Sequence, residues 1–311
     1  MKKLSSLIVK AIRYTSDENF RTIINANFGI YNRLPDDKYL EKLYKAHFHK
    51  ELDLENPVTF NEKLQWLKLY NRKPEYTMMV DKYKVREYIA QTLGEEYLIP
   101  LIGVWDDPDE IDFDALPDQF VLKCNHNSGL GMCICKDKSK LDIPKVKAEL
   151  RKGLKQDYYL TGREWPYKDV PRKIICEKYM QDDSKTGELA DYKVLCFNGE
   201  PRLVEIHRGR FEGVHTQDFY NEDWVKTDIE QPELPLSDEI MQRPPFVDEM
   251  FRLSRILAKN IPHVRVDWYY TGGRLYFGEL TFFDGSGFGA FEGSQDMEIG
   301  SWLKLPAKYN D

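Results

Sequence analysis

The chain has 311 residues, 41% of them hydrophobic and 31% charged, which suits a soluble globular protein with one large domain or two to three subdomains around a real core. Forty-five basic against 52 acidic side chains leave a formal net charge of −7, which argues against a sequence-independent nucleic-acid binder. The longest apolar runs, such as Tyr97 to Val104, are far too short for a transmembrane segment.

The N-terminal stretch MKKLSSLIVKAIRYTSDENF starts basic but holds only a broken apolar run, so it reads as an amphipathic helix rather than a signal peptide. Residues 1–75 as a whole read as a helical N-terminal region. Within it, Thr59-Phe60-Asn61-Glu62 matches a capping box and opens FNEKLQWLKLY, where Phe60, Leu64 and Leu67 share one face. A second helix is predicted over 81–94, closed by Gly94. A buried strand (97–105) and an acidic, turn-rich linker (106–118) follow.

From residue 119 strands and hairpins take over. QFVLK (119–123) and MCICK (132–136) flank CNHNSGLG, and a helix is predicted from Pro144 to Tyr158. RKIICEKYM (172–180) reads as a strand with a polar exit, and 191–209 as a hairpin turning at Asn198-Gly199. An amphipathic helix is expected from Pro245 to Asn260, then a second hairpin made of HVRVDWYY (263–270), TGG and RLYFGELTF (274–282). The five cysteines form no C-x-x-C pair and sit in or at strand-like runs, so they read as reduced, buried thiols. These features together suit a cytoplasmic protein.

Three motifs carry chemistry. In Val121-Leu122-Lys123-Cys124-Asn125-His126-Asn127-Ser128-Gly129-Leu130-Gly131, a strand delivers a lysine and then a small polar loop with two glycines. Glycine lets backbone N–H groups approach phosphate oxygens closely, and the lysine adds a point charge; an ordinary hairpin loop is the competing reading. In the hairpin 263–282, Arg265 and Asp267 share a strand face by period-2 alternation, opposite Val264, Val266 and Trp268. With TGG as a three-residue loop, Tyr270 pairs with Arg274, Asp267 lies opposite Phe277, and Glu279 and Thr281 share the face of Phe277. Two converging carboxylates can share a hard cation such as Mg²⁺. A two-residue loop would put them on opposite faces, so a loop of odd length is expected; a solvated charged face remains the alternative. The third motif is Glu177-Lys178-Tyr179-Met180, a charged strand end whose backbone could meet an adenine edge. The histidines (His47, His49, His126, His207, His215, His263) show no metal-ligand spacing.

Taken in order, NPVTFNEKLQWLKLY (56–70), DKYKVREYI (81–89), YLIPLIGVWD (97–106), FVLKCNHNSGLG (120–131), DYKVLCFNGEPRL (191–203) and VRVDWYYTGGRLYFGELTF (264–282) resemble the ATP-grasp superfamily. The closest resemblance is to its TupA-like branch, found with bacterial surface-polysaccharide genes. It implies an α+β fold in which two subdomains grip ATP, an ATP-grasp domain over 76–311, and a lid subdomain at about 118–176. By this resemblance Lys82 and Lys123 are the ATP-phosphate lysines, and Ser128, Gly129 and Gly131 form the lid loop over the phosphates. Glu177, Lys178 and Met180 form the adenine hinge, Asp191 sits where ribose is bound, and Lys193 touches phosphate. Asp267 and Glu279 are the metal carboxylates, and Arg265 stabilises the acyl phosphate. Where the family places asparagine as third metal ligand, this chain has Thr281, so water or Asp284 would complete the shell.

The implied activity is that of an ATP- and Mg²⁺-dependent carboxylate–amine ligase. A carboxylate attacks the γ-phosphate, an amine then attacks the acyl phosphate, and Gly285 and Gly287 offer N–H groups to the tetrahedral oxyanion. Arg208 and Arg210 would bind the acid substrate. Gene context in the family implies a uronic-acid or amino-acid carboxylate in capsule or cell-surface polymer assembly. A kinase of similar fold, a glycosyltransferase and a non-catalytic nucleotide-binding partner are the other readings.

Overall fold

The computed structural model describes residues 10–181, 189–209 and 214–309. Helices α1 (Glu18–Asn27), α2 (Asp36–Phe48), α3 (Phe60–Tyr70), α4 (Glu75–Val80) and α5 (Val85–Thr92) come first. The capping box of α3 forms as expected: the Thr59 hydroxyl accepts from the N–H of Glu62, whose carboxylate accepts from the N–H of Thr59. The helix predicted from 81 starts only at Val85. Asp81 is the reason, because its carboxylate accepts from the N–H groups of Tyr83 (2.9 Å) and Lys84 (3.2 Å), forming a turn that leaves Lys82 ahead of the helix.

Strands β1 (Leu101–Trp105), β2 (Phe120–Cys124) and β3 (Met132–Cys135) precede helices α6 (Ile143–Lys155) and α7 (Tyr159–Gly162). Then follow β4 (Ile174–Lys178), β5 (Asp191–Phe197), β6 (Glu200–Arg208), β7 (Thr216–Asn221), α8 (Val247–Leu257), β8 (His263–Thr271), β9 (Arg274–Thr281) and α9 (Gln295–Trp302). Two antiparallel sheets result, ordered β1-β4-β2-β3 and β7-β6-β5-β8-β9. The smaller sheet buries Phe120, Leu122, Ile174 and Cys176 against Val146 and Leu150 of α6. The larger one buries Val194, Val204, Val264, Val266 and Trp268 against Met250, Leu253 and Leu257 of α8. Phe60, Leu64 and Leu67 of α3 belong to this same core. All five cysteines are free, and four are buried.

The β8–β9 hairpin corrects the sequence reading. Thr271 pairs with Arg274, so the turn is the two-residue Gly272-Gly273, with φ of 58° and 74°. Positive φ at both positions is what a primed hairpin turn needs, and glycine supplies it without strain. Tyr270 accordingly pairs with Leu275, and Phe277 lies opposite Trp268 rather than Asp267. Beyond that point the register shifts: Val266 pairs with Leu280. Asp267 therefore faces both Gly278 and Glu279, a bulge with one extra residue on β9. Phe277 and Leu280 point into the core, whereas Glu279 and Thr281 turn to the other face, away from Phe277. Without the bulge, a two-residue turn would have sent Glu279 inward.

Candidate functional site

The face of the five-stranded sheet opposite Val194, Val266 and Trp268 carries the polar cluster. Side chains directly opposite in an antiparallel pair share a face, and Lys193 lies opposite Asp267, Asp191 opposite Tyr269, and Leu195 opposite Arg265. Arg265 is the hub. Its Nε and Nη2 donate to the two oxygens of Asp267 at 2.7 and 2.8 Å. Nη1 donates to Asp284, and Nη2 also reaches the Thr281 hydroxyl at 3.3 Å and Glu279 at 3.6 Å. Lys193 bridges Asp191 at 2.7 Å and Asp267 at 2.8 Å.

Charge balance sets the protonation of this cluster. Burial alone would lower the pKa of Arg265, but Asp267 and Asp284 outweigh it and hold it well above its ordinary value. Burial opposes the charged form of Glu279 too, yet Lys82, Arg265 and Lys193 pull its pKa down. Its side chain is 32% exposed, so solvent screening tempers that pull. At Asp191 burial wins, and its pKa rises despite Lys193.

Lys82 joins the hairpin to the loop of the smaller sheet. Its ammonium sits 2.9 Å from Glu279 and 3.0 Å from the Asn127 carbonyl, while its N–H donates to the Asn125 carbonyl. The loop has a fixed base and an open tip. Asn125, His126 and Asn127 are buried, with Asn125 bonded to Asp81 (2.7 Å) and to the Pro171 carbonyl (2.9 Å). Ser128 and Gly129 are exposed, and Gly129 and Gly131 have φ of 78° and 71°. A Cβ at Gly131 would come within 2.8 Å of Cys124 Sγ and of the Gly153 backbone, so glycine lets α6 press against the loop.

The residues expected to form the adenine hinge lie at the end of β4 and just beyond it. Glu177 is 6% exposed, and its carboxylate is taken by Lys123 at 2.6 Å and Arg86 at 3.1 Å. Its backbone lies inside the sheet, opposite Leu101 and Val121. Lys178 is exposed, with its N–H bonded to the Pro100 carbonyl, and Met180 is half-buried. Arg208 lies at the end of β6, 3.5 Å from Glu239 and 3.9 Å from Asp218. Arg210 lies outside the described residues. Two cavities, of about 940 and 910 Å³, lie away from the Arg265 cluster. One is lined by Glu41, Asp53, Trp66 and Tyr70, and the other reaches Ile102, Lys136, Lys178 and Tyr179.

The segment Gly285-Ser286-Gly287 runs through three left-handed residues, with φ of 52°, 55° and 61°. Helix α3 holds it by its carbonyls. Asn61 donates to the Gly289 carbonyl (2.8 Å), Gln65 to that of Gly287 (2.6 Å), and Lys68 to that of Ser286 (2.7 Å). Lys68 also donates to Gly162 O and Gln65 Oε1, and burial lowers its pKa to about 7 against the pull of Glu164. These three residues were missed in the sequence, though they repeat at i, i+4 and i+7, a polar stripe on a helix that is also apolar. Asp81, Arg86 and Asn125 were missed because their partners are distant in sequence.

Asp267 and Glu279 both fall within reach of the Arg265 guanidinium, with Nη2 2.8 Å from the one and 3.6 Å from the other. Among the described residues no three His, Cys, Asp or Glu groups converge on a metal site. A hard ion would thus take Asp267, Glu279 and Thr281 together with oxygens from water or substrate, a set that suits Mg²⁺.

The TupA-like ATPgrasp family matches residues 62–304. No curated protein matches the chain. Among solved structures, D-alanine–D-alanine ligase from Bacillus anthracis complexed with ATP is 17% identical with a TM-score of 0.39, covering 66% of this chain and 54% of its own. The Helicobacter pylori D-alanine–D-alanine ligase is 12% identical with a TM-score of 0.43, covering 78% and 69%. The ATP-grasp ligase PsnB, complexed with a phosphomimetic variant of its minimal precursor, Mg and ADP, is 10% identical with a TM-score of 0.39, covering 83% and 65%. This chain thus spans little more than half of the Bacillus anthracis ligase. With more than three-quarters of its length matched, the chain belongs to the TupA-like ATP-grasp family.

Proposed function

We propose that the protein is an ATP- and Mg²⁺-dependent carboxylate–amine ligase acting through an acyl phosphate. The observation that carries this reading is Lys82, which bridges the glycine loop at Asn127 and the carboxylate hairpin at Glu279. The triphosphate would enter between these two walls, with adenine toward Lys178 to Met180. Lys82 and Lys123 would exchange their present carboxylate partners for phosphate oxygens, and Ser128, Gly129 and Gly131 would cover the phosphates. Asp191 would face the ribose and Lys193 the phosphates.

Asp267, Glu279 and Thr281 would hold Mg²⁺, which supplies charge neutralisation on the phosphates when bound. Phosphoryl transfer needs positioning and neutralised charge more than covalent help. Arg265 would serve this role by releasing Asp267, since its planar fork can hold two oxygens of a transferring group. Gly285 and Gly287, whose loop carbonyls are fixed on α3, would turn N–H groups toward the oxyanion that forms when the amine attacks. Closure of the loop would keep water from the acyl phosphate. Arg208 and Arg210 would receive the acid. The family resemblance favours a uronic-acid or amino-acid carboxylate used in cell-surface polysaccharide assembly in the cytoplasm.

An ADP-release screen tests this reading. Hexuronic and amino acids are offered as carboxylates, with and without amino acids as amines, and products are weighed by mass spectrometry. Amide products that require both partners are expected. A phosphorylated sugar formed without an amine would overturn the ligase reading in favour of a kinase. Turnover of a nucleotide-sugar without ATP would point to a glycosyltransferase.

A further inference from the structure

A second group of titratable side chains lies on the same sheet face, one strand beyond Lys193. Glu205 of β6 is directly opposite Lys193, which is itself opposite Asp267. Strand spacing of about 4.8 Å puts the backbone of Glu205 roughly 10 Å from that of Asp267. Glu205 is 4% exposed. Its Oε1 is hydrogen-bonded to His207 Nε2, and His207 Nδ1 lies 3.0 Å from His215 Nε2. Its Oε2 has no partner among the described residues. Lys193 does not supply one, because its ammonium is bound to Asp191 and Asp267. Glu205 nevertheless acts electrostatically on Lys193 and Arg265, which places it beside the cluster.

A buried carboxylate oxygen without a donor is costly. Its chemistry calls for a donor that carries positive charge, and the exposure of the chain rises outward from Glu205 to the half-buried His207 and His215. The trio does not form a metal cage, since no such group exists among the described residues. Resting on the ligase reading, we propose that Glu205 Oε2 receives the ammonium group of the amine co-substrate, and that Glu205, His207 and His215 lead its proton away from the site.

The step balances. The ammonium gives one proton to Glu205, and its freed electron pair attacks the acyl-phosphate carbonyl. The C–N bond forms, the C–O bond to phosphate breaks, and phosphate leaves with the electron pair of that broken bond. A second nitrogen proton goes to the departing phosphate. The first passes to the imidazole chain and out to solvent.

Hydroxylamine separates this step from the one before it. It is uncharged at neutral pH and attacks acyl phosphates without a base. Full-length wild type, Glu205→Gln and His207→Gln are each given ATP, Mg²⁺ and glucuronate, galacturonate, D-alanine or L-glutamate as carboxylate. The amine is hydroxylamine in one series, and glycine, D-alanine, L-glutamate or L-lysine in the other. In both variants the ratio of amide to hydroxamate should fall about 100-fold, the scale of a lost general base. An unchanged ratio, or both products falling together, would overturn the proposal. Wild type that yields neither hydroxamate nor amide would instead overturn the ligase reading, and this proposal with it. Thermal melts of both variants confirm that folded protein is being compared.

Discussion

Arg265 grips Asp267 by both carboxylate oxygens, at 2.7 and 2.8 Å, while its remaining nitrogen is committed to Asp284. Two consequences compete. A buried fork of this kind could simply hold the hairpin, or it could be a transferable clamp that moves to phosphate. Lysine keeps the charge and loses the fork. Arg265→Lys should therefore lower kcat roughly 10²-fold while the affinity for ATP changes little. Melting curves and initial rates on one preparation separate the two roles. Reduced stability with unchanged kcat per folded molecule would mean the arginine is structural.

Asp267→Asn and Glu279→Gln keep shape and remove one negative charge each. If these carboxylates hold Mg²⁺, each variant should lose roughly 10²-fold or more in turnover. The Mg²⁺ concentration needed for half-maximal rate should rise as well. Glu279→Gln should fold better than Asp267→Asn, because Glu279 is partly exposed whereas Asp267 is 3% exposed and paired to both Lys193 and Arg265. Near-wild-type rates in either variant would exclude the metal assignment.

Lys82 ties the glycine loop to the hairpin through one ammonium. Lys82→Met removes the bridge and the phosphate charge at once. The expected result is ATP binding weakened by about 1–3 kcal/mol, on the scale of one charge-assisted contact. Hydrogen exchange at the amides of 126–131 should also quicken. Calorimetry with a non-hydrolysable ATP analogue and exchange mass spectrometry on the free protein measure the two effects separately. Unaltered nucleotide affinity would remove Lys82 from the site.

His263 gives a pH signature unrelated to catalysis. It is buried between Phe60 and Phe197, and burial depresses its pKa from 6.5 to about 4. Between those values the unfolded chain binds a proton that the folded one refuses. Stability therefore falls as pH drops through that window, by up to about 3 kcal/mol. His263→Phe should flatten the fall in Tm between pH 6.5 and 4. An equally steep fall in the variant would assign the acid sensitivity to other groups.

Much of this could be read in the sequence. The Thr59–Glu62 capping box, the Asn198-Gly199 turn and the alternation of Val264, Val266 and Trp268 are local rules, and each formed as expected. The strand β7 and helix α9 went unseen because TQDFYN and QDMEIGSW carry little periodic apolar signal. The bulge at Gly278-Glu279 was also missed, although a trace of it exists. Leu275, Phe277 and Leu280 are spaced by two and then three, and that extra step is the inserted residue. The Arg265–Asp284 pair and the grip of Arg86 on Glu177 depend on tertiary approach, which no local pattern encodes.

The ladder of Asn61, Gln65 and Lys68 makes α3 part of the half that carries the Arg265 cluster rather than an attached accessory. These side chains are each 1% exposed or less, and their donors satisfy carbonyls of 286, 287 and 289 that would otherwise be orphaned. A fragment beginning at residue 76 would strip three donors from a run of left-handed backbone that has little reason to hold its shape alone. Truncation, domain transplantation and split-protein designs in this protein should therefore keep α3 with the C-terminal half, and a separately supplied α3 peptide is a natural ligand for the groove such a fragment would expose.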